Sequence, residues 1–317
     1  MKILIELPTW LGDGVMVTPA IENLINFHKD SELILIGSEA SIEIFKNHPK
    51  ISKIYILNKG YLSLFNEARK FGKFDIFLSF RGSFRSVLLK FFISSKSKFQ
   101  YHKKDYPNYH QVEKYNNFIN KSLGTNFSAG KLVINCKNLH KDSSKLAKKQ
   151  KPVLGINPGA SYGNAKRWYP KEFAKVATEL SKRFDIILFG GHNEKKISMD
   201  IEKILLEKGV INFKNITGQT SIPELIQQIS NLDLFITGDS GPMHIAAGFQ
   251  VPSISIFGPT NENETSQWKN QKGTIIKKNL NCQPCMKRVC PLKHHNCMKL
   301  IKASDVLKVA TSIDLHH

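Results

Sequence analysis

Short apolar runs alternate with amphipathic stretches twice along this chain, and that alternation sets the tightest limit on its fold. In the first half, Ile3–Leu7, Leu33–Ile36, Ile54–Leu57 and Asp75–Ser79 read as buried strands. Helical periods fill 15–28, 39–47, 60–71 and 83–93 between and after them. Ser38 and Ser83 stand where helix N-caps are needed, and Gly72 and Gly82 where turns are. The second half repeats the pattern. Strands are expected at Val153–Asn157, Ile186–Phe189, Ile211–Phe213, Leu234–Thr237 and Val251–Phe257, and helices at 170–183, 193–208, 221–230 and 304–313. Repeated βα units of this length predict mostly parallel sheets with helices on both faces.

The expected architecture is α/β, with two doubly wound Rossmann-like domains in tandem. They are placed at 1–148 and 149–303, followed by a C-terminal helix at 304–317 that can pack back on the first domain. The Lys-rich stretch 137–151 is read as the linker region. Tandem domains of this kind place a cleft between them, with the carboxyl ends of both sheets facing it.

Composition narrows the setting. Residues 2–7 already read as a buried strand, which leaves no room for a signal peptide, and no run of 18 apolar residues is present. A cytoplasmic protein is expected. The net charge of +20 fits an anionic partner, whether nucleic acid, nucleotide or a membrane surface. Only six of the 46 basic residues are arginines, so the excess is equally well read as a Lys-rich genome's habit.

Chemistry gathers where strands end. Asp233-Leu-Phe-Ile-Thr-Gly-Asp-Ser-Gly-Pro-Met-His244 runs from a buried strand through small residues into a helix with Pro242 in its first turn. Such a junction presents unpaired backbone N–H groups and the positive end of a helix dipole, which suits a diphosphate. Asn157 to Trp168 follows an earlier strand and carries two glycines, small residues and Lys166-Arg167. It resembles a phosphate-cradling loop without being a Walker A sequence. Lys166 would neutralise a leaving diphosphate, Arg167 would grip it or brace the loop, and Trp168 would pack. Glu194, just past Gly190-Gly191, is either a ribose ligand or a first-turn charge. In the first domain, Gly12-Asp13-Gly14 sets a carboxylate at the mouth of β-strand 2–7. Asp13 is either a helix N-cap or a base for a hydroxyl nucleophile.

Four of five cysteines crowd into Cys282-x2-Cys285-x4-Cys290-x6-Cys297, with His294 and His295 between. The spacing suits either a structural zinc site or reduced free thiols. Cys136 stands apart and is expected to be buried.

Residues 7–16, 157–168, 237–247 and 256–260, taken together and in this order, resemble the heptosyltransferases of the bacterial lipopolysaccharide inner core, glycosyltransferase family 9, above all the members that add the second heptose. The resemblance implies the two-domain GT-B fold, with acceptor bound by the first domain and ADP-heptose by the second. It implies inverting transfer with no metal or other cofactor required for catalysis. Asp13 matches the base, Lys166 the lysine on the donor diphosphate, and Asp239 a ligand of donor hydroxyls. Ser240, Gly241 and His244 match diphosphate contacts, Glu194 the ribose carboxylate, and Thr9 a further donor contact. The acceptor would be lipid A bearing Kdo and heptose, met at the cytoplasmic surface of the inner membrane. Arg81, Arg85 and the basic, aromatic segment 96–110 would touch its acidic groups or that surface, or else form a solvated rim.

Other readings stay open at this stage. One is transfer to the first core heptose position, or of another nucleotide sugar. Another is a non-catalytic nucleotide-binding module. A third is a basic, zinc-bearing nucleic-acid-binding protein, against which stands the lack of any helix-turn-helix or RNA-recognition signature.

Overall fold

The structure, a computed structural model, describes residues 1–57, 60–135 and 151–313, without the side chains of 61–63. Cys136, the expected domain boundary and, apart from Lys151, the expected linker lie outside the described residues. The chain divides into two compact units, Met1–Lys137 and Asn138–His317.

The first unit runs β1 (Lys2–Glu6), α1 (Leu11–Met16), α2 (Thr18–Phe27), β2 (Glu32–Gly37), α3 (Glu39–Ile42), β3 (Ile51–Ile56), α4 (Tyr61–Lys70), β4 (Lys73–Ser79), α5 (Phe84–Phe92), β5 (Ser94–Gln100) and α6 (Gln111–Leu123). Its sheet has the order β3-β2-β1-β4-β5, and every pairing is parallel. After β1 the chain builds outward through β2 and β3, then crosses back to lay β4 on the other side of β1. That reversal opens a crevice at the carboxyl ends of β1 and β4, the usual ligand position in an open parallel sheet. Side chains alternate between faces, so Leu4, Ile34, Ile36 and Phe77 join Leu64 and Leu89 in one core cluster.

The second unit runs β6 (Val153–Asn157), α7 (Pro170–Leu180), β7 (Asp185–Leu188), α8 (Lys195–Glu207), β8 (Phe213–Asn215), α9 (Ile222–Ser230), β9 (Leu234–Gly238), α10 (Gly241–Gly248), β10 (Ser253–Ile256), α11 (Glu262–Thr265), β11 (Gly273–Ile276), α12 (Asn296–Lys299) and α13 (Ala303–Ser312). The order is β11-β10-β9-β6-β7-β8, again parallel throughout. Here the reversal falls between β6 and β9. Gly155 on β6 is held to glycine by its neighbours, because a Cβ there would lie 2.4 Å from Leu232 Cδ1 and 2.8 Å from Phe235. The terminal helix α13 packs on α7, β10 and β11. Its Ala303, Val306 and Ala310 are buried in the second core.

Three local departures from expectation have plain causes. The helix expected at 15–28 starts earlier and is split at Val17. Pro19 lacks an N–H and would crowd the carbonyl of Val15, which instead accepts the Thr18 hydroxyl at 2.8 Å. The strands β5 and β11 were not expected at all. Both are edge strands, and β5 reads Ser-Ser-Lys-Ser-Lys-Phe-Gln, a lysine-bearing sequence of the kind that discourages further pairing.

Candidate active site

In the second unit, the β6/β9 reversal brings two loops together. Lys166 Nζ lies 2.6 Å from Asp239 Oδ2, and the two side chains are only 12% and 4% exposed. Lys166 also stands 4.8 Å over the Tyr162 ring. Asn157, at the end of β6, donates to Gly159 O, Thr237 Oγ1 and Ser240 Oγ at 3.3–3.4 Å. The Ser240 hydroxyl is further paired with Thr237 Oγ1 at 3.0 Å. Ser240 is the N-cap residue of α10, yet no side chain caps that helix. Its first N–H groups therefore keep their anion-binding capacity, beside an ammonium and at the positive end of the helix dipole. His244 is buried on the same helix. Lys166, Asp239, Ser240, Gly241 and His244 thus share one sheet end, as the sequence led one to expect.

Glu194 reaches this mouth from the next strand. Its Oε2 accepts the Gly191 N–H at 2.7 Å, so the first-turn role is the one its hydrogen bond shows. Yet the carboxylate lies flat against Gly159, where any Cβ would stand 2.1–2.3 Å from it. Arg167 braces the loop by donating to Ala160 O at 3.4 Å. Trp168 is packing, buried with its indole N–H on Ile301 O at 3.0 Å. Thr260 went unnoticed as a site residue. It is buried at the end of β10, and among the described residues its hydroxyl has no hydrogen-bond partner. A buried hydroxyl in that state costs about 1–3 kcal/mol, which a ligand atom would recover. The Gly258-Pro259-Thr260 turn at a strand end was the available signal.

In the first unit, Asp13 is the third residue of α1, and Trp10 occupies the N-cap position. The capping alternative is thereby set aside. Asp13 Oδ1 instead accepts a hydrogen bond from Tyr115 Oη at 2.8 Å. Burial, and then the Asp13 charge, hold the Tyr115 phenol well above its ordinary range, so it remains a donor. Gly14 allows α1 to press on α3, where a Cβ would meet Ser41 Cα at 3.0 Å. Thr9 lies at the same mouth, its carbonyl accepting Ser38 Oγ at 2.6 Å.

A buried carboxylate lies on β1 of the same unit. Glu6, wholly buried, accepts Ser79 Oγ at 2.6 Å, Ser86 Oγ at 2.9 Å and Arg81 Nη1 at 3.3 Å. Burial pushes its carboxyl up, while Ser79, Arg81 and Ser86 pull it down. Arg81 is therefore tied to the sheet by Glu6. Neither Tyr115 nor Glu6 could be singled out from sequence, since each partner lies on a distant element.

Tyr115→Phe should lower turnover about tenfold by freeing the Asp13 carboxylate to rotate, with donor KM unchanged. Steady-state kinetics checks this, and an unaltered kcat would remove Tyr115 from the machinery.

Cys282, Cys285, Cys290 and Cys297 are all free thiols, and all line one small cavity of about 20 Å³ with His294 and His295. Burial pushes the Cys297 thiol up to about 11, and Cys285, Cys290 and Cys282 add to the push. A larger cavity, about 640 Å³, opens at the β8 edge beside α8, lined by Met199, Leu206 and Phe213. None of the residues assigned from sequence lines it.

Comparison with known proteins identifies relatives of this chain and of its fold. The family model described as glycosyltransferase family 9 (heptosyltransferase) matches residues 65–296. Lipooligosaccharide heptosyltransferase 2 of Campylobacter jejuni serotype O:2 is 42% identical over 99% of this chain and 98% of its own length. The solved structure of a family 9 glycosyl transferase from Veillonella parvula superposes with a TM-score of 0.81 at 21% identity, over 98% of this chain and 96% of that one. The Escherichia coli ADP-heptose LPS heptosyltransferase II superposes with a TM-score of 0.77 at 19% identity, over 98% of both chains.

Proposed function

Because this chain belongs to glycosyltransferase family 9, the heptosyltransferases, we propose that it transfers heptose from ADP-heptose to a heptose hydroxyl of the lipopolysaccharide inner core, as a second-heptose transferase. The observation that carries the site assignment is the buried Lys166–Asp239 pair at the uncapped N-terminus of α10. It supplies a cation and backbone donors for a departing diphosphate, and a carboxylate for sugar hydroxyls.

In this reading Asp13 takes the proton from the acceptor hydroxyl as that oxygen attacks the anomeric carbon from the face opposite ADP. The bond from the anomeric carbon to the diphosphate oxygen breaks, and its electron pair leaves with ADP. The transition state is oxocarbenium-like at the sugar and gathers charge on the diphosphate. Lys166 and the N–H groups of α10 meet that charge without a divalent cation. His244 and Ser240 line the diphosphate, Glu194, its Oε2 held by the Gly191 N–H, offers its other oxygen to the ribose, Thr9 adds a donor contact, and Arg81 and Arg85 face acidic groups of the acceptor. Incubation with ADP-heptose and a core acceptor carrying one heptose, read by mass spectrometry, tests the proposal. A gain of one heptose is expected, and no gain on that acceptor would overturn the second-heptose assignment.

Among the described residues no helix is long and apolar enough to cross a membrane, so a lipid-anchored acceptor would be met at its surface. The face of α5 suits that task. Phe84, Val87 and Phe91 are 70%, 44% and 77% exposed, and their i, i+3, i+7 spacing sets them along one stripe. Lys90 on the same helix, with Lys96 and Lys98 on β5, supplies charge complementary to anionic lipid headgroups. Replacing Phe84 and Phe91 by Ser should weaken co-sedimentation with phosphatidylglycerol vesicles, roughly tenfold per Phe. Transfer to a delipidated acceptor should be unchanged; undiminished vesicle binding would clear α5 of this role.

A further inference from the structure

Heptose transfer leaves one chemically loaded cluster unused, the cysteine loop. Residues 277–295 contain neither helix nor strand. Met286, Lys293 and His295 hold left-handed backbone, with φ of 53°, 58° and 51°, a conformation that costs a non-glycine residue roughly 1 kcal/mol or more. Three large apolar side chains of the loop face outward, Met286, Val289 and Leu292 being 37%, 71% and 58% exposed, while Leu280 packs against the second core. A strained segment with little buried apolar surface of its own would gain cohesion from a bound ion.

What this loop gathers instead is thiols. All four line the same cavity of about 20 Å³, a volume on the scale of a single ion. Of the neighbouring imidazoles, His295 is engaged at both ring nitrogens and His294 at Nδ1. His295 Nε2 lies 2.9 Å from Ala165 O and its Nδ1 3.1 Å from Tyr169 Oη, while His294 Nδ1 accepts the Asn296 N–H at 3.0 Å. The four sulfurs are the one ligand type present in fourfold number around the cavity.

From the four thiols that line this one cavity we propose a structural metal site in which Cys282, Cys285, Cys290 and Cys297 hold one divalent ion, zinc or ferrous iron, through four thiolates. Four sulfurs favour these borderline-soft ions in a tetrahedral array over magnesium or calcium. Loading releases the thiol protons to solvent and changes no oxidation state. Four thiolates around a dication leave a net negative charge, and Lys287, Arg288 and Lys293 stand in the same loop to offset it. Among the described residues no three such groups already stand in ligating array. The four thiols would therefore close on the ion by rotation about the single side-chain torsion of Cys.

The consequence reaches the proposed donor site. Gln283 Nε2 donates to Gly258 O at 2.6 Å, and the Met286 N–H to Pro259 O at 2.8 Å. On the other side, the Ala165 N–H donates to Arg288 O at 3.0 Å, and Tyr162 Oη to Met286 O at 2.9 Å. The cysteine loop thus ties the Lys166 loop to the turn carrying Thr260. An ion at its centre would hold both in place.

Metal analysis of the untagged full chain, purified without chelator, tests this. About one zinc or iron per chain is expected, with the four thiols slow toward a disulfide reagent until a mercurial displaces the metal. A folded, metal-free protein whose thiols react at once, or one carrying disulfides among these cysteines, overturns the proposal. Cys285→Ser and Cys290→Ser, made singly in case one fails to fold, should each lose the stoichiometric metal; full retention in a folded variant overturns the ligand set. Stripping the metal should raise the Kd for ADP about tenfold by loosening the Lys166 loop. The metal count needs no substrate, so it stands or falls separately from heptose transfer.

Discussion

Asp13→Asn is expected to cut kcat about 10²–10⁴-fold, the span ordinarily supplied by a positioned general base. The reason lies in what the substitution keeps. Asn has the same shape, and its Oδ1 can still accept the Tyr115 hydroxyl that Asp13 accepts at 2.8 Å. The half-buried position on α1 and the contact with α6 therefore survive, and only basicity is lost. ADP-heptose binding, followed by calorimetry, should remain within about twofold of the parent, because the diphosphate contacts reside on other residues. Wild-type turnover in this variant would move the base elsewhere. Loss of donor binding in parallel would make Asp13 a binding residue.

The second large effect is expected at Lys166. Its removal takes away a cation placed where leaving-group charge develops, an interaction of the class worth about 10²–10³ in kcat. Lys166→Ala also strands Asp239, 4% exposed, without its partner. Breaking a buried pair from one side destabilises a fold by about 3 kcal/mol or more. The two effects can be separated. Lys166→Ala with Asp239→Asn removes the stranded charge, so the melting temperature should recover while kcat stays low. A rate that recovers with stability would reduce Lys166 to a structural partner of Asp239. Because the pair is closed at 2.6 Å, donor binding must also loosen it. Asp239→Asn alone should therefore leave more of the rate than Lys166→Ala does.

Much of the fold was legible in the residues themselves. Strands such as Ile3–Leu7 and Leu234–Thr237 are apolar on successive positions because both faces of a parallel sheet are covered, and that pattern is local. The stretches after them carry Gly12, Gly14, Gly190 and Gly241, a glycine density visible in the residues alone. What escaped was polar or marginal. The edge strands β5 and β11 make one ladder each and carry no buried double face, so their sequences resemble loops. Splitting of the first helix turned on Pro19 and the Thr18 hydroxyl, a capping detail finer than the apolar period.

The sequence alone determined the class of architecture, the loops that bear the chemistry, and the residue types suited to a diphosphate and a hydroxyl nucleophile. Tertiary structure decided who meets whom. Tyr115 reaches Asp13 across 102 positions, Arg81 reaches Glu6 across 75, and Lys166 reaches Asp239 across 73. Hydrophobic periodicity records which face of an element is buried, because burial repeats with the element's own geometry. It carries no record of a single hydrogen bond between two loops. That bond exists only after the chain has crossed its own sheet, at the β1/β4 and β6/β9 reversals, and brought strand ends together that sequence keeps far apart.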